Sequence, residues 1–129
     1  MYISAVALLV KDLDRAIDFY TKKLGWEKTM DAPMGDGTRW VTVAPHGAQA
    51  AFSLTQRRLD RPDAKAGGSS GVIFEVDDVY QFEKEFAKAH IEFTEAPRSE
   101  PWGGWAMFKD SEGNVHGLHS PVAAGSGRR

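Results

Sequence analysis

The apolar positions of this chain follow two periods, two residues and about 3.6 residues, and the periods alternate in the same order in both halves. The run Val6-Ala7-Leu8-Leu9-Val10-Lys11-Asp12-Leu13 reappears as Val72-Ile73-Phe74-Glu75-Val76-Asp77-Asp78-Val79. Each run predicts a strand that stops on a polar turn. After the first, Ala16, Ile17, Tyr20 and Leu24 fall on one helical face; after the second, Phe82, Phe86 and Ala89 do the same. Helices are therefore expected over 14–24 and 79–89. Gly25 stands just past the first, where a left-handed residue commonly ends a helix, and His90 holds the equivalent place after the second. Trp40-Val41-Thr42-Val43 and Trp105-Ala106-Met107-Phe108 then alternate with period two. Each leads to a turn, Pro45-His46-Gly47 or Glu112-Gly113-Asn114, and to a last apolar segment.

Each half is thus a strand, a helix and three strands. A half this small leaves one sheet face uncovered, so the two halves are expected to share a core. The fold class predicted is α+β, two tandem βαβββ modules over about 1–56 and 70–122, with helices on the outer faces and a single domain spanning 1–122. The polar, Gly/Ser-rich stretch 57–69 reads as the connection between them, and the basic, glycine-bearing 123–129 as a flexible tail. A half-covered pair of curved sheets is expected to bury its remaining apolar edge against a symmetry mate, which predicts a homodimer.

Composition narrows the partners. With 129 residues, 42% of them hydrophobic, the chain can bury one real core and is too short for two ordinary domains. Its 16 basic and 18 acidic residues leave no electrostatic footprint for nucleic acid or an anionic membrane. No stretch approaches the ~20 apolar residues that span a bilayer, and no secretory leader pattern opens the chain, so a cytoplasmic location is expected. The absence of cysteine excludes disulfides, thiolate nucleophiles and thiolate metal sites.

The segment Val10-Lys11-Asp12-Leu13-Asp14-Arg15-Ala16 with Phe19-Tyr20 and Leu24-Gly25, and the later Phe108-Lys109-Asp110-Ser111-Glu112-Gly113-Asn114, resemble the vicinal oxygen chelate superfamily. That group includes glyoxalase I, bleomycin-resistance proteins, fosfomycin-resistance enzymes and extradiol dioxygenases. The resemblance extends over roughly 2–121 and implies paired βαβββ modules enclosing a cup-shaped cleft. It implies no single activity. In the family's metalloenzymes the ligands stand at positions that carry over to Ala5, Gly71, Gly117 and either Ala51 or Ser53. None of these offers an imidazole or a carboxylate. The expectation is that the usual metal site is absent and that no cofactor is bound.

The histidines do not replace that site. His116 and His119 are three apart on a predicted strand and point to opposite faces, so they cannot chelate one ion together. His46 lies in a turn and His90 at a helix end. His119 shares the face of Gly117 and is a candidate pocket donor or base, or else a structurally satisfied residue. Alternation sends Ala5, Ala7, Leu9, Gly71, Ile73 and Glu75 toward the cleft, together with Trp40, Thr42, Trp105 and Met107. Glu75 is the inward carboxylate of the first strands, either a base or a solvated strand-end residue. The small residues among these leave room for an organic ligand. The indoles of Trp40 and Trp105 either offer apolar faces to that ligand or fill the cleft as core. Trp102, beside Gly103 and Gly104, suits a lid. Ser53 completes the ligand-binding candidates Trp40, Thr42, Trp102, Trp105, Met107 and His119; the catalytic candidates are His119 and Glu75. Arg57, Arg58 and Arg61, interspersed with acids, read as a solvated loop.

Three functions fit these observations. The first is a metal-independent protein, like the bleomycin-resistance branch, that binds an apolar or aromatic small molecule in the inter-module cleft. The second is a lyase, isomerase or dioxygenase-type enzyme with an atypical or metal-free site. The third is a protein-interaction module whose cleft is closed by its own side chains.

Overall fold

Two aspartates 66 positions apart start the two helices. In the computed structural model, which describes residues 1–58 and 60–122, Asp12 has extended backbone and its carboxylate accepts the N–H of Arg15 at 3.1 Å. Asp78 accepts from Tyr80 at 2.9 Å and Gln81 at 3.3 Å. Each carboxylate satisfies first-turn donors that have no partner inside the helix. The helices that follow are α1 (Leu13–Asp18) and α2 (Val79–Glu85). Both are shorter than the periodicity predicts because their ends change pitch. α1 passes into a π-helical turn, Phe19–Lys23, where the Leu24 N–H reaches back to the Phe19 carbonyl at 3.1 Å. α2 passes into a 3₁₀ turn, Ala87–Ala89. Gly25 and His90 then adopt left-handed backbone, with φ of 76° and 57°. The expected tail, 123–129, lies outside the described residues.

The chain divides into two units, Met1–Gly67 and Gly68 onward. The first holds β1 (Ala5–Leu9), β2 (Glu27–Pro33), β3 (Arg39–Ala44) and β4 (Ala51–Thr55) in the order β1-β4-β3-β2. The second holds β5 (Gly68–Glu75), β6 (Glu92–Glu100), β7 (Gly103–Lys109) and β8 (Asn114–Ser120) in the order β5-β8-β7-β6. In each sheet the first strand runs parallel to the last and the remaining pairs are antiparallel. This is the α+β, two-module architecture the repeat predicts. β5 starts inside the stretch expected to be a connection. Its first residues carry no apolar signal, yet they extend the ladder to β8: the Gly68 N–H reaches the Gly113 carbonyl at 2.9 Å and the Ser70 hydroxyl lies 3.2 Å from that of Val115.

Alternation along the strands decides which side chains form each core. In the first unit Leu8, Val41, Val43, Phe52 and Leu54 are buried with Ala16, Phe19, Tyr20 and Leu24 from the helical segment. Tyr20 packs on Trp26 and Phe52 with ring centroids 5.0 and 5.6 Å away. In the second unit Phe108 lies against Phe82 at 5.7 Å and His116 at 5.4 Å, and Val79, Ala106 and Leu118 are also buried. Burying each large apolar side chain contributes about 1.5–3 kcal/mol.

The turn from β7 to β8 is polar and buried. Asp110 Oδ1 accepts the N–H groups of Glu112 at 2.8 Å and Asn114 at 2.9 Å, while Oδ2 takes the Asn114 amide at 3.1 Å. His116, fully buried beside it, has Nδ1 2.7 Å from the Ser70 hydroxyl. Burial pushes its pKa down to about 4, against the pull of the Asp110 carboxylate, so the ring is neutral at pH 7.

Candidate functional site

Three strands of the second sheet assemble one group of side chains on the face turned away from α2. Register places Glu75 of β5 and Trp105 of β7 on either side of His119 of β8. His119 Nδ1 lies 2.6 Å from Glu75 Oε1, and Nε2 lies 3.1 Å from the backbone oxygen of Trp102. The Glu75 carboxylate, and after it the Trp102 carbonyl, hold the His119 pKa above its ordinary value. The Trp102 indole stacks on the imidazole at 5.9 Å with 16° between the planes, and meets Trp105 edge-on at 5.9 Å.

Two glycines make this packing possible. Gly103 has φ of 133°, a conformation that a side chain strongly disfavours, and a Cβ there would stand 2.7 Å from His119 Nε2 and collide with the Ser120 carbonyl. A Cβ on Gly117 would stand 2.7 Å from Trp105 Cη2 and 3.3 Å from Ile73 Cγ1. The room expected at Gly117 is therefore already taken by the indole of Trp105, because a bare backbone lets a flat ring settle on it. At Gly71, by contrast, no atom lies within 4 Å of an added Cβ. Met107 registers with Gly117 on the same face.

The other expected residues belong to the first sheet. Thr42 and Ser53 are register partners and are both buried, and the Thr42 hydroxyl is engaged by Thr29 at 2.5 Å. Trp40, two residues along β3, is 40% exposed and registers with Ala32. The structure thus brings Glu75, Trp102, Trp105, Met107 and His119 together in one unit, and Thr42 with Ser53 in the other. Arg58 of the charged loop pairs with Asp60 at 2.7 Å.

Register also settles which first-module residue matches Gly117. Ser53 pairs with Ala7 as Gly117 pairs with Ile73, so Ser53 and not Ala51 is the counterpart. Among the described residues, no three His, Cys, Asp or Glu side chains converge as a metal site. Sequence reasoning read Glu112-Gly113-Asn114 as a turn but missed that Asp110 closes it from a buried position; the available signal was the Asp-x-x-Gly-Asn spacing, in which one carboxylate closes a turn.

Residues 2–116 match the family described as Glyoxalase/Bleomycin resistance protein/Dioxygenase superfamily. The chain belongs to this superfamily. The superfamily match agrees with individual relatives. An uncharacterized protein of Bacillus subtilis (strain 168), YetH, is 31% identical, the alignment covering 88% of this chain and 92% of YetH. A superfamily member from Sphaerobacter thermophilus DSM 20745 superposes with a TM-score of 0.86 at 30% identity, covering 93% of this chain and 97% of the other. TnmS3, described as an antibiotic binding protein from Streptomyces sp. CB03234, superposes with a TM-score of 0.82 at 31% identity, covering 95% and 97%. Superfamily membership carries the fold but not one chemistry.

Proposed function

We propose that this superfamily member binds an apolar or aromatic small molecule against its tryptophan-bearing sheet faces, without a metal ion. The observation that carries this reading is the aromatic platform of Trp102 and Trp105 beside His119, with open space at Gly71. Flat indole faces with N–H groups at their edges suit such a ligand. The likeness to TnmS3, an antibiotic binding protein, supports the same class of ligand. The residues do not fit a divalent metal. Ala5, Gly71, Ser53 and Gly117 supply no imidazole or carboxylate, and a longer side chain at Gly117 would have to displace Trp105.

The test is a tryptophan-quenching screen of aromatic antibiotics and related compounds. Trp105→Ala is expected to weaken binding of a hit about fivefold or more, corresponding to the ~1 kcal/mol contribution of a buried aromatic anchor. Unchanged affinity in a destabilised variant would make the indole core packing and sink the reading. One tightly held transition metal per chain, found by elemental analysis, would refute the metal-free part.

A second reading is favoured by the His119–Glu75 pair, which has the geometry of a base oriented by a carboxylate. It makes the protein a metal-free lyase or isomerase, and turnover of a bound compound that is lost in His119→Gln would support it. A homodimer and a cytoplasmic location complete the proposal. Exposed Tyr2, Ile3, Val6 and Ile73 support the dimer, for which sedimentation should show twice the 14.2 kDa chain mass.

A further inference from the structure

Both ring nitrogens of His119 face groups that accept hydrogen bonds and donate none. Nδ1 meets the Glu75 carboxylate at 2.6 Å, and Nε2 meets the Trp102 carbonyl at 3.1 Å. A neutral imidazole has one N–H and satisfies one of these partners; an imidazolium has two and satisfies both. Both contacts are hydrogen bonds at once only when the ring is protonated. Stacking of the Trp102 indole on that ring at 5.9 Å favours the same state, since an aromatic face attracts a cation.

We infer that His119 is a proton-operated latch on the Trp102 turn: protonated, it ties the turn to the face of the second sheet, and neutral, it releases the turn and uncovers Trp105. The proton lost is the one on Nε2, because the bond from Nδ1 to a full carboxylate charge is the stronger. Its loss sets a nitrogen lone pair against the carbonyl oxygen of Trp102, and an attractive contact becomes a repulsive one.

Backbone pairing holds His119 in place and confines any movement to Pro101 and Trp102, the two residues between the Glu100–Gly103 pair. The His119 carbonyl accepts the Val76 N–H at 2.8 Å, so its backbone belongs to the ladder between β5 and β8. Trp102 is 52% exposed and is followed by Gly103, whose missing side chain allows the turn to lie directly on His119 and the Ser120 carbonyl.

The charges brought by the neighbouring elements identify Glu75 as the group that sets the titration. β5 supplies Glu75 opposite the ring and, past its end, Asp77 and Asp78, the latter committed to α2. β7 supplies Trp105 and no ionisable side chain before Lys109, which pairs with Glu92 at 3.5 Å. β6 and its turn supply Arg98 and Glu100, bound to each other at 2.7 Å, with Arg98 also on Glu95 at 2.6 Å.

The latch regulates the site proposed above and rests on that reading for its consequence, so its test uses no ligand. The full chain is titrated by NMR from about pH 5 to about pH 9, following the His119 ring protons and the Trp102 indole N–H. The two signals are expected to move together with one midpoint above 6.5, the ordinary histidine value. Glu75→Gln should lower that shared midpoint by about one pH unit or more, and His119→Gln should abolish the Trp102 transition. Trp102 signals that fail to follow His119, or a midpoint unmoved by Glu75→Gln, would overturn the latch. Neither result depends on the Trp105→Ala binding assay, so failure of the latch and failure of the binding reading are told apart.

Discussion

His116 and His119 stand three residues apart on β8, and their surroundings push their pKa values in opposite directions. His116 is the larger lever on stability. Its folded pKa of about 4 lies below the ordinary 6.5, so the unfolded chain takes up the proton first as pH falls. Its contribution is present above 6.5 and is lost as pH falls toward 4. The unfolding free energy should fall as pH drops from about 7 toward about 5, and His116→Phe should reduce that fall when both are measured by urea unfolding. His119 works with the opposite sign: its contribution is present below 6.5 and fades as pH rises through the higher folded value. It is small because the ring is solvated. Alternation along the sequence separated the faces of the two rings, since a shift of three is odd in a period of two. It did not show their partners. Glu75 and Trp102 reach His119 from 44 and 17 positions away, and those distances depend on register and turn conformation, which local periodicity does not encode.

At the scale of elements, both helix starts were legible because the repeat places an aspartate at the same point in each half. Asp78 caps two backbone donors and Asp12 one. Asp78→Ala should therefore cost about 1 kcal/mol in thermal or urea unfolding, and Asp12→Ala less. The start of β5 was not legible. Gly68, Ser69 and Ser70 carry the composition of a loop, but β8 offers a row of backbone partners and the ladder extends into them. The pitch changes that shorten α1 and α2 were hidden for a related reason. Apolar spacing of three and four is shared by α, π and 3₁₀ turns, and the hydrogen bond that tells them apart leaves no trace in the pattern of side chains.

For the whole molecule, the 66-residue repeat and the two turn motifs carried the superfamily and the two-module architecture. Ligand identity was not legible, because the residues that line a sheet face specify its shape and polarity and many compounds share those. The sheet topology bears also on how the chain folds. Within each sheet the last three strands follow one another along the chain and pair as hairpins, whereas the parallel pair joins Ala5 to Ala51 and Ile73 to Gly117, separations of 46 and 44 residues. Closing a long loop costs entropy before any contact repays it, so the hairpins are expected to form early and the first strand of each unit to dock late. Leu8, buried on β1, then makes its contacts after the rate-limiting barrier. In stopped-flow experiments Leu8→Ala should speed unfolding and leave the refolding rate nearly unchanged, whereas Val43→Ala, in the β3–β4 hairpin, should slow refolding. The strand that begins each half of the sequence is thus expected to be the last to join its sheet.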